Sequence, residues 1–266
     1  MSEDIESETS KIALEGIAKS FGALEVIRDI SFTAAPSTFV SVIGPSGCGK
    51  STLFNVMAGL ETPGAGRVLV DGADATGRSE HFAYMPQKDL LFPWRTILDN
   101  TTLGLEVQGV KRKEARQQAE PLFEVFGLSG FQKSMPFQLS GGMRQRAALL
   151  RTVVQGRSVL LLDEPFGALD ALTRTEMQEW LEKVWEQYQW TVVLITHDIR
   201  EAVFLSDKVV VLSSRPTTVR LEVEVDLPRP RDLAVVTSPR FAAIEEELLT
   251  ALREESRKAH QLEAGV

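Results

Sequence analysis

TFVSVIGPSGCGKST, residues 38–52, decides the fold. Its first half, TFVSVIG (38–44), is a compact apolar run that ends in glycine, the pattern of a buried strand. Its second half, GPSGCGKST (44–52), fits G-x-x-x-x-G-K-[ST], and a helix is expected from Lys50 to Ala58. The glycines let backbone wrap closely around phosphates, with the N–H groups of Gly47, Gly49, Lys50 and Ser51 pointing inward. The helix N-terminus adds a dipole that favours negative charge. Lys50 is expected to reach the β- and γ-phosphates, and the Ser51 hydroxyl to ligate Mg²⁺. Gly44, Pro45, Ser46, Cys48 and Thr52 complete the loop. Cys48 admits a redox role, but simple occupancy of a permissive position is favoured.

Working outward, a hard cation also needs carboxylate oxygen. SVLLLDE (158–164) delivers Asp163 at the C-terminal end of a buried strand, the end at which open α/β sheets bind ligands. Asp163 is expected to hold Mg²⁺ through water, and Glu164 to act as the general base on the attacking water. TVVLITH (191–197) and KVVVLSS (208–214) are further buried-strand candidates, with helical segments at 172–188 and 199–205. Strands alternating with helices argue for a parallel sheet covered on its faces. From Lys11 to Ala35 the runs alternate apolar and polar residues, as antiparallel strands with one wet face do. GRVLVDG (66–72) and HFAYMPQ (81–87) read as short strands. Between Asp99 and Gln155 the pattern turns helical, around 97–107, 112–126 and 142–154, which reads as a helical subdomain inserted into the sheet.

Composition narrows the classes. The chain has 266 residues, 43% of them apolar and 25% charged, which excludes a disordered or collagenous chain. The formal net charge of −8 is a poor basis for non-specific nucleic-acid binding. One cysteine permits no intrachain disulfide and fits a reducing compartment. The acidic opening MSEDIESETS is the opposite of a signal peptide, and residues 1–10 are expected to be a mobile tail. No apolar run approaches the ~18 residues that span a bilayer. A cytoplasmic protein is therefore expected. LPRPR (227–231) reads as a linker, and the tail beyond it places Phe241, Ile244, Leu248, Leu249 and Leu252 on one helical face, for packing on the body or a partner.

Further strings fall in register with these. LSGGMRQR (139–146) resembles the signature motif of ATP-binding-cassette (ABC) ATPases, FGALD (166–170) their D-loop, His197 in ITHD their switch histidine, and Gln87 in MPQ their Q-loop glutamine. The resemblance runs from about Lys11 to Asp226. It implies an α/β P-loop NTPase (RecA-like) fold: a parallel-sheet core, an antiparallel β subdomain and an inserted α-helical subdomain at about 88–155, followed by a C-terminal extension over 227–266. It implies ATP and Mg²⁺ as cofactors, and a head-to-tail homodimer in which Ser140, Gly141 and Gly142 of one copy cover the γ-phosphate held by the other, with Asp170 acting across the interface. Ser140 can also be a plain N-cap. The resemblance assigns His197 to the γ-phosphate and attacking water, and Gln87 to Mg²⁺ or water. Phe21 stands where the family stacks an aromatic on adenine, although an aromatic in a strand is often core.

Met143 departs from the usual glutamine of LSGGQ. LSGGMRQR, LLFPWRTILDN (90–100) and HDIREAVFLSDKVVVLSSRP (197–216) resemble ATPase subunits of nitrate, sulfonate and taurine importers, and of importers of pyrimidine precursors. Such subunits sit on the cytoplasmic face of the inner membrane, under permease subunits fed by an external binding protein. In LLFPWRT (90–96), Leu90 and Leu91 are expected to pack the subdomain's core, while Phe92 and Trp94 divide evenly between packing and permease docking. The alternative is a non-transport ABC ATPase acting on nucleic acid or the ribosome; an exporter subunit or a P-loop kinase or GTPase fits the strings less well.

Overall fold

Five strands read as nearly unbroken apolar runs form one half of the sheet in a computed structural model that describes residues 10–264. The expected tail over residues 1–10 lies, apart from Ser10, outside the described residues. β1 (Ile12–Phe21), β2 (Leu24–Ala34), β3 (Phe39–Ile43), β4 (Ala65–Val70), β5 (Ala73–Asp74), β6 (Phe82–Met85), β7 (Val159–Asp163), β8 (Thr191–Ile195), β9 (Lys208–Leu212) and β10 (Thr217–Glu224) join in the order β5-β4-β1-β2-β10-β9-β3-β8-β7-β6. Along β9-β3-β8-β7-β6 every pairing is parallel. All five residues of β3, β7 and β8 are buried, because both faces of a parallel sheet are covered.

The other half is antiparallel: β1 pairs with β2 and β4, and β4 with β5. β10 is the hinge between halves, antiparallel to β9 and touching β2 in parallel at Thr217 and Thr218. One hydrophobic core fills the space between the antiparallel strands and α1 (Lys50–Met57). A second runs from the parallel sheet into the helical region.

That helical region is finer-grained than its periodicity predicts. The 97–107 segment is two short helices, α2 (Ile97–Thr101) and α3 (Leu103–Val107). The 112–126 segment splits into α4 (Arg112–Ala119) and α5 (Leu122–Val125), because Pro121 has no N–H to continue the ladder. α6 (Gly141–Val153), α7 (Ala171–Tyr188) and α8 (Ile199–Leu205) follow, and α9 (Pro239–Ala264) closes the chain. α9 lays Phe241, Ile244 and Leu248, all fully buried, on the body, with Leu249 and Leu252 half-buried at the margin.

The segment read as a linker is tied down. The Arg231 side chain, 4% exposed, donates to the carbonyls of Val203 (3.1 Å), Phe204 (3.0 Å) and Ser206 (2.7 Å). Arg229 donates to the Leu205 carbonyl (2.6 Å), pairs with Asp207 (2.9 Å) and buried Glu182, and lies 4.0 Å over the Trp185 ring. Two guanidinium groups thus satisfy the carbonyls at the C-terminus of α8, where cations are also favoured by the helix dipole. The prolines of 227–231 suggested a loose connection, and the arginines make it a strap.

Candidate functional site

The loop after β3 is shaped by two glycines. Gly49 has φ of 121° and precedes α1, and a Cβ there would stand 2.9 Å from Val26 Cγ1, so only glycine fits. Gly47, at φ 73°, turns the loop tip. No side chain caps α1. Among the described residues, the N–H groups of Gly47, Gly49, Lys50 and Ser51 donate to no backbone carbonyl, so they are free to serve an anion at the helix N-terminus. Lys50 Nζ donates to the Gly44 (2.8 Å) and Pro45 (3.0 Å) carbonyls, which steady it over the loop. Cys48 is buried on the inner side, and burial pushes its thiol up, away from the reactive thiolate.

Around this loop opens a cleft of about 680 Å³, lined by Phe21, Val26, Ser46, Gly47, Gly49, Lys50, Ser51, Thr52, Glu164, His197 and Arg215. Residues from five separate stretches of chain thus meet at the C-terminal edge of the parallel strands. Phe21 is 47% exposed with Lys19 Nζ 5.0 Å over its ring, so it is a wall of the cleft mouth and not core.

Two predicted side chains converge on one oxygen of a third. Glu164 Oε2 accepts from Gln87 Nε2 (2.9 Å) and lies 3.3 Å from His197 Nδ1. Glu164 holds φ 45°, a conformation glutamate rarely takes, fixed by its N–H donating to the Ile195 carbonyl (2.8 Å) across the strand ends. The carboxylate therefore faces the cleft while its backbone is locked between β7 and β8.

Asp163 lies just behind, 7% exposed. Burial raises its pKa, and neighbouring Glu164 adds to the rise, while the Tyr84 hydroxyl, donating to Oδ2 at 3.2 Å, and Lys50 pull the other way. A buried carboxylate so disfavoured as an anion is suited to a cation, whose charge reverses that balance. Asp163, the Ser51 hydroxyl and the amide of Gln87 are hard oxygen donors of the kind Mg²⁺ takes. Among the described residues no group of three or more His, Cys, Asp or Glu could hold a metal alone, so an ion here would draw its other ligands from phosphate and water.

The signature segment is elsewhere. Ser140, Gly141, Gly142 and Asp170 do not line the cleft of their own chain. Ser140 caps α6, its hydroxyl accepting the Met143 N–H at 3.3 Å, and Asp170 caps α7, accepting the Thr173 N–H at 3.1 Å. The Thr173 hydroxyl and N–H hold Asp170 below the usual carboxylate range. Both side chains are exposed. Leu91 is buried, but Leu90, expected in the core, is 57% exposed at φ 45°, since Arg151 holds the Leu90 carbonyl (2.8 Å) and Asp89 carbonyl on the inner side. Trp94 is 72% exposed and stacked on Phe92, with ring centroids 5.1 Å apart. Sequence reasoning missed Tyr84, Val26 and Arg215; no motif marks them, and only the fold brings them to the site.

A phosphate-cradling loop on a parallel sheet, a poised glutamate and a buried carboxylate define a P-loop nucleotide hydrolase. Comparison with known proteins narrows the class. The family model described as ABC transporter matches residues 27–167. An uncharacterized ABC transporter ATP-binding protein of Methanocaldococcus jannaschii is 40% identical over 253 residues, covering 94% of both chains. The aliphatic sulfonates import ATP-binding protein SsuB of Bacillus cereus is 40% identical over 242 residues, 90% of this chain and 94% of that protein. Among solved structures, a dimeric bacterial ABC transporter cassette superposes with a TM-score of 0.70 at 28% identity, covering 82% of this chain and all of its own. The same holds for a dimeric cassette in a post-hydrolysis state bound to ADP and phosphate. The chain belongs to the ABC transporter ATP-binding family: it binds ATP and is an ATPase. Among the described residues no helix is long and apolar enough to cross a membrane.

Proposed function

We propose that this chain energises an importer for a small solute of the aliphatic-sulfonate kind, as a head-to-tail homodimer beneath a membrane permease. The observation that carries the proposal is the 40–42% identity to sulfonate-import ATP-binding proteins over four-fifths or more of the chain. The displaced position of the signature segment supports the homodimer: its exposed helix N-terminus has donors for an anion but no reacting groups beside it.

In this reading Phe21 stacks on the adenine while the loop N–H groups and Lys50 bind the phosphates. Ser51, Asp163 and Gln87 hold Mg²⁺, which when bound neutralises phosphate charge. Glu164 takes the proton of the attacking water, and its place 3.3 Å from His197 Nδ1 keeps both groups on that water. Ser140, Gly141 and Gly142 of the second copy close over the γ-phosphate. Hydrolysis is thereby tied to closure of the dimer.

Coupling to the permease has a surface. A second cleft, about 450 Å³, is lined by exposed Leu60, Leu90 and Val107 together with Tyr84, the residue bonded to Asp163. These exposed apolar groups, with exposed Phe92 and Trp94 further along the loop that carries Leu90, suit the anchoring of a partner helix. The test is affinity purification of tagged chain from its own membranes in mild detergent. A stoichiometric multi-span protein is expected, and its loss with Trp94→Ala, nucleotide binding intact, would place the contact. A clean soluble protein, or ribosomal or DNA-bound partners, would move the function to the non-transport branch.

A further inference from the structure

The turn between β9 and β10 carries a cation that the reading above leaves unused. Arg215 lines the nucleotide cleft, and its Nη2 stands 3.5 Å from where a Cβ on Gly47 would lie, at the tip of the phosphate loop. Among the described residues its side chain makes no hydrogen bond or ion pair. The turn itself is tightly held. The Ser213 N–H donates to the Thr218 carbonyl and the Thr218 N–H to Ser213 Oγ, both at 2.9 Å. Thr217, fully buried, donates its hydroxyl to the Cys48 carbonyl inside the phosphate loop. The turn and the loop are therefore one connected piece.

The C-terminal helix holds the same turn from the other side. Glu255 of α9 is 2% exposed and accepts the Ser214 N–H at 3.1 Å. Its other oxygen is engaged by Lys258 and by Arg220 Nε at 3.5 Å. The carboxylate's charge is thus met by Lys258 and Arg220, and the neighbouring guanidinium is left turned to the cleft. We propose that Arg215 is a further nucleotide-binding residue, contacting the phosphates, and that Glu255 on the C-terminal helix is the positioning residue that sets it there. The guanidinium stands at the glycine tip, where phosphates are cradled, while Phe21 walls the mouth. A planar fork of donors matches phosphate oxygens, which lysine does only as a point charge. The C-terminal helix then tunes nucleotide affinity without touching nucleotide.

This inference rests on the cleft taking ATP, and the test separates the two. The full chain is titrated with Mg²⁺ and a fluorescent mant-ATP. Arg215→Ala is expected to weaken binding about tenfold, the worth of one charge-assisted bond, and to flatten the salt dependence of the affinity. Glu255→Ala should weaken binding less, by about threefold. Glu255→Gln should restore affinity, because the amide oxygen still accepts from Ser214. Glu255→Ala should add nothing in the Arg215→Ala background, since its effect passes through Arg215. Wild-type affinity and salt slope in Arg215→Ala would overturn the proposal while leaving the cleft as an ATP site. An undiminished Glu255→Ala effect in the double variant would overturn the positioning role. A wild-type chain that binds no ATP would overturn both readings together.

Discussion

The phosphate loop and the signature segment use the same device to opposite ends. Both are helix N-termini opened by glycines. At α1 no side chain caps the helix, and its free N–H groups look onto Lys50, Glu164 and His197 in a shared cleft. At α6 the Ser140 hydroxyl caps the helix, and none of the cleft's reacting groups belongs to that surface. The first is a receptor that carries its own chemistry. The second offers donors alone, and in the proposed dimer it serves the cleft of a second copy. Asp170, exposed at the start of α7, belongs with the second. This asymmetry is the physical case for a site assembled from two copies.

The comparison can be broken at either half. Glu164→Gln keeps the hydrogen-bonding shape around Gln87 and His197 but removes the base. Steady-state phosphate release should fall by about 10²–10⁴-fold while mant-ATP binding stays within twofold of wild type. Lys50→Ala and Gly141→Asp should then part company. The first removes a cation from the chain's own loop and should weaken ATP binding about 100-fold. The second places a carboxylate on the donor surface and should leave that chain's ATP affinity unchanged, yet lower turnover about 100-fold by repelling the partner's phosphate. Its Cβ meets only Leu169, at 3.4 Å, so folding is not the reason for the loss.

A smaller effect sharpens the joint between the halves. Glu201 on α8 is 3% exposed and accepts from Gln178 Nε2 of α7 at 3.1 Å, linking the helix that follows His197 to the helix that begins at Asp170. Burial pushes its pKa up to about 7; Asp198 adds to the rise, while Gln178, Thr196 and Arg174 oppose it. The folded pKa is raised above the unfolded one, so the folded state binds the extra proton. Stability from this group is full below the unfolded value of about 4.5 and is lost as pH rises through 7. Glu201→Gln should remove that loss, gaining on the order of 3 kcal/mol over wild type at pH 8, as read by thermal melts between pH 5 and 8.

The nucleotide-binding half was largely legible in the sequence because its chemistry is local. A glycine loop needs its residues side by side, and FVSVI and VLLLD announce buried strands by themselves. What stayed hidden depends on residues far apart in the chain. Tyr84 meets Asp163 across 79 positions, and nothing in FAYM marks it. Arg229 meets Glu182 across 47, so a proline-rich string that composition reads as a linker is a strap anchored by its arginines. Leu90 was misplaced because hydropathy alone does not register that Arg151 turns its backbone inward.

The most direct measurement of the composite site is cross-complementation. Lys50→Ala chains and Gly141→Asp chains are each assayed alone, then mixed in equal amounts. In a head-to-tail dimer every mixed pair has one site with both defects and one with none. Half of the dimers would be mixed and each would hold one sound site of two, so at ATP that fills the intact loop but not the Lys50→Ala loop the mixture should recover about a quarter of wild-type turnover, although each parent turns over far more slowly. A mixture no more active than its parents would contradict the account and return all of the chemistry to a single chain.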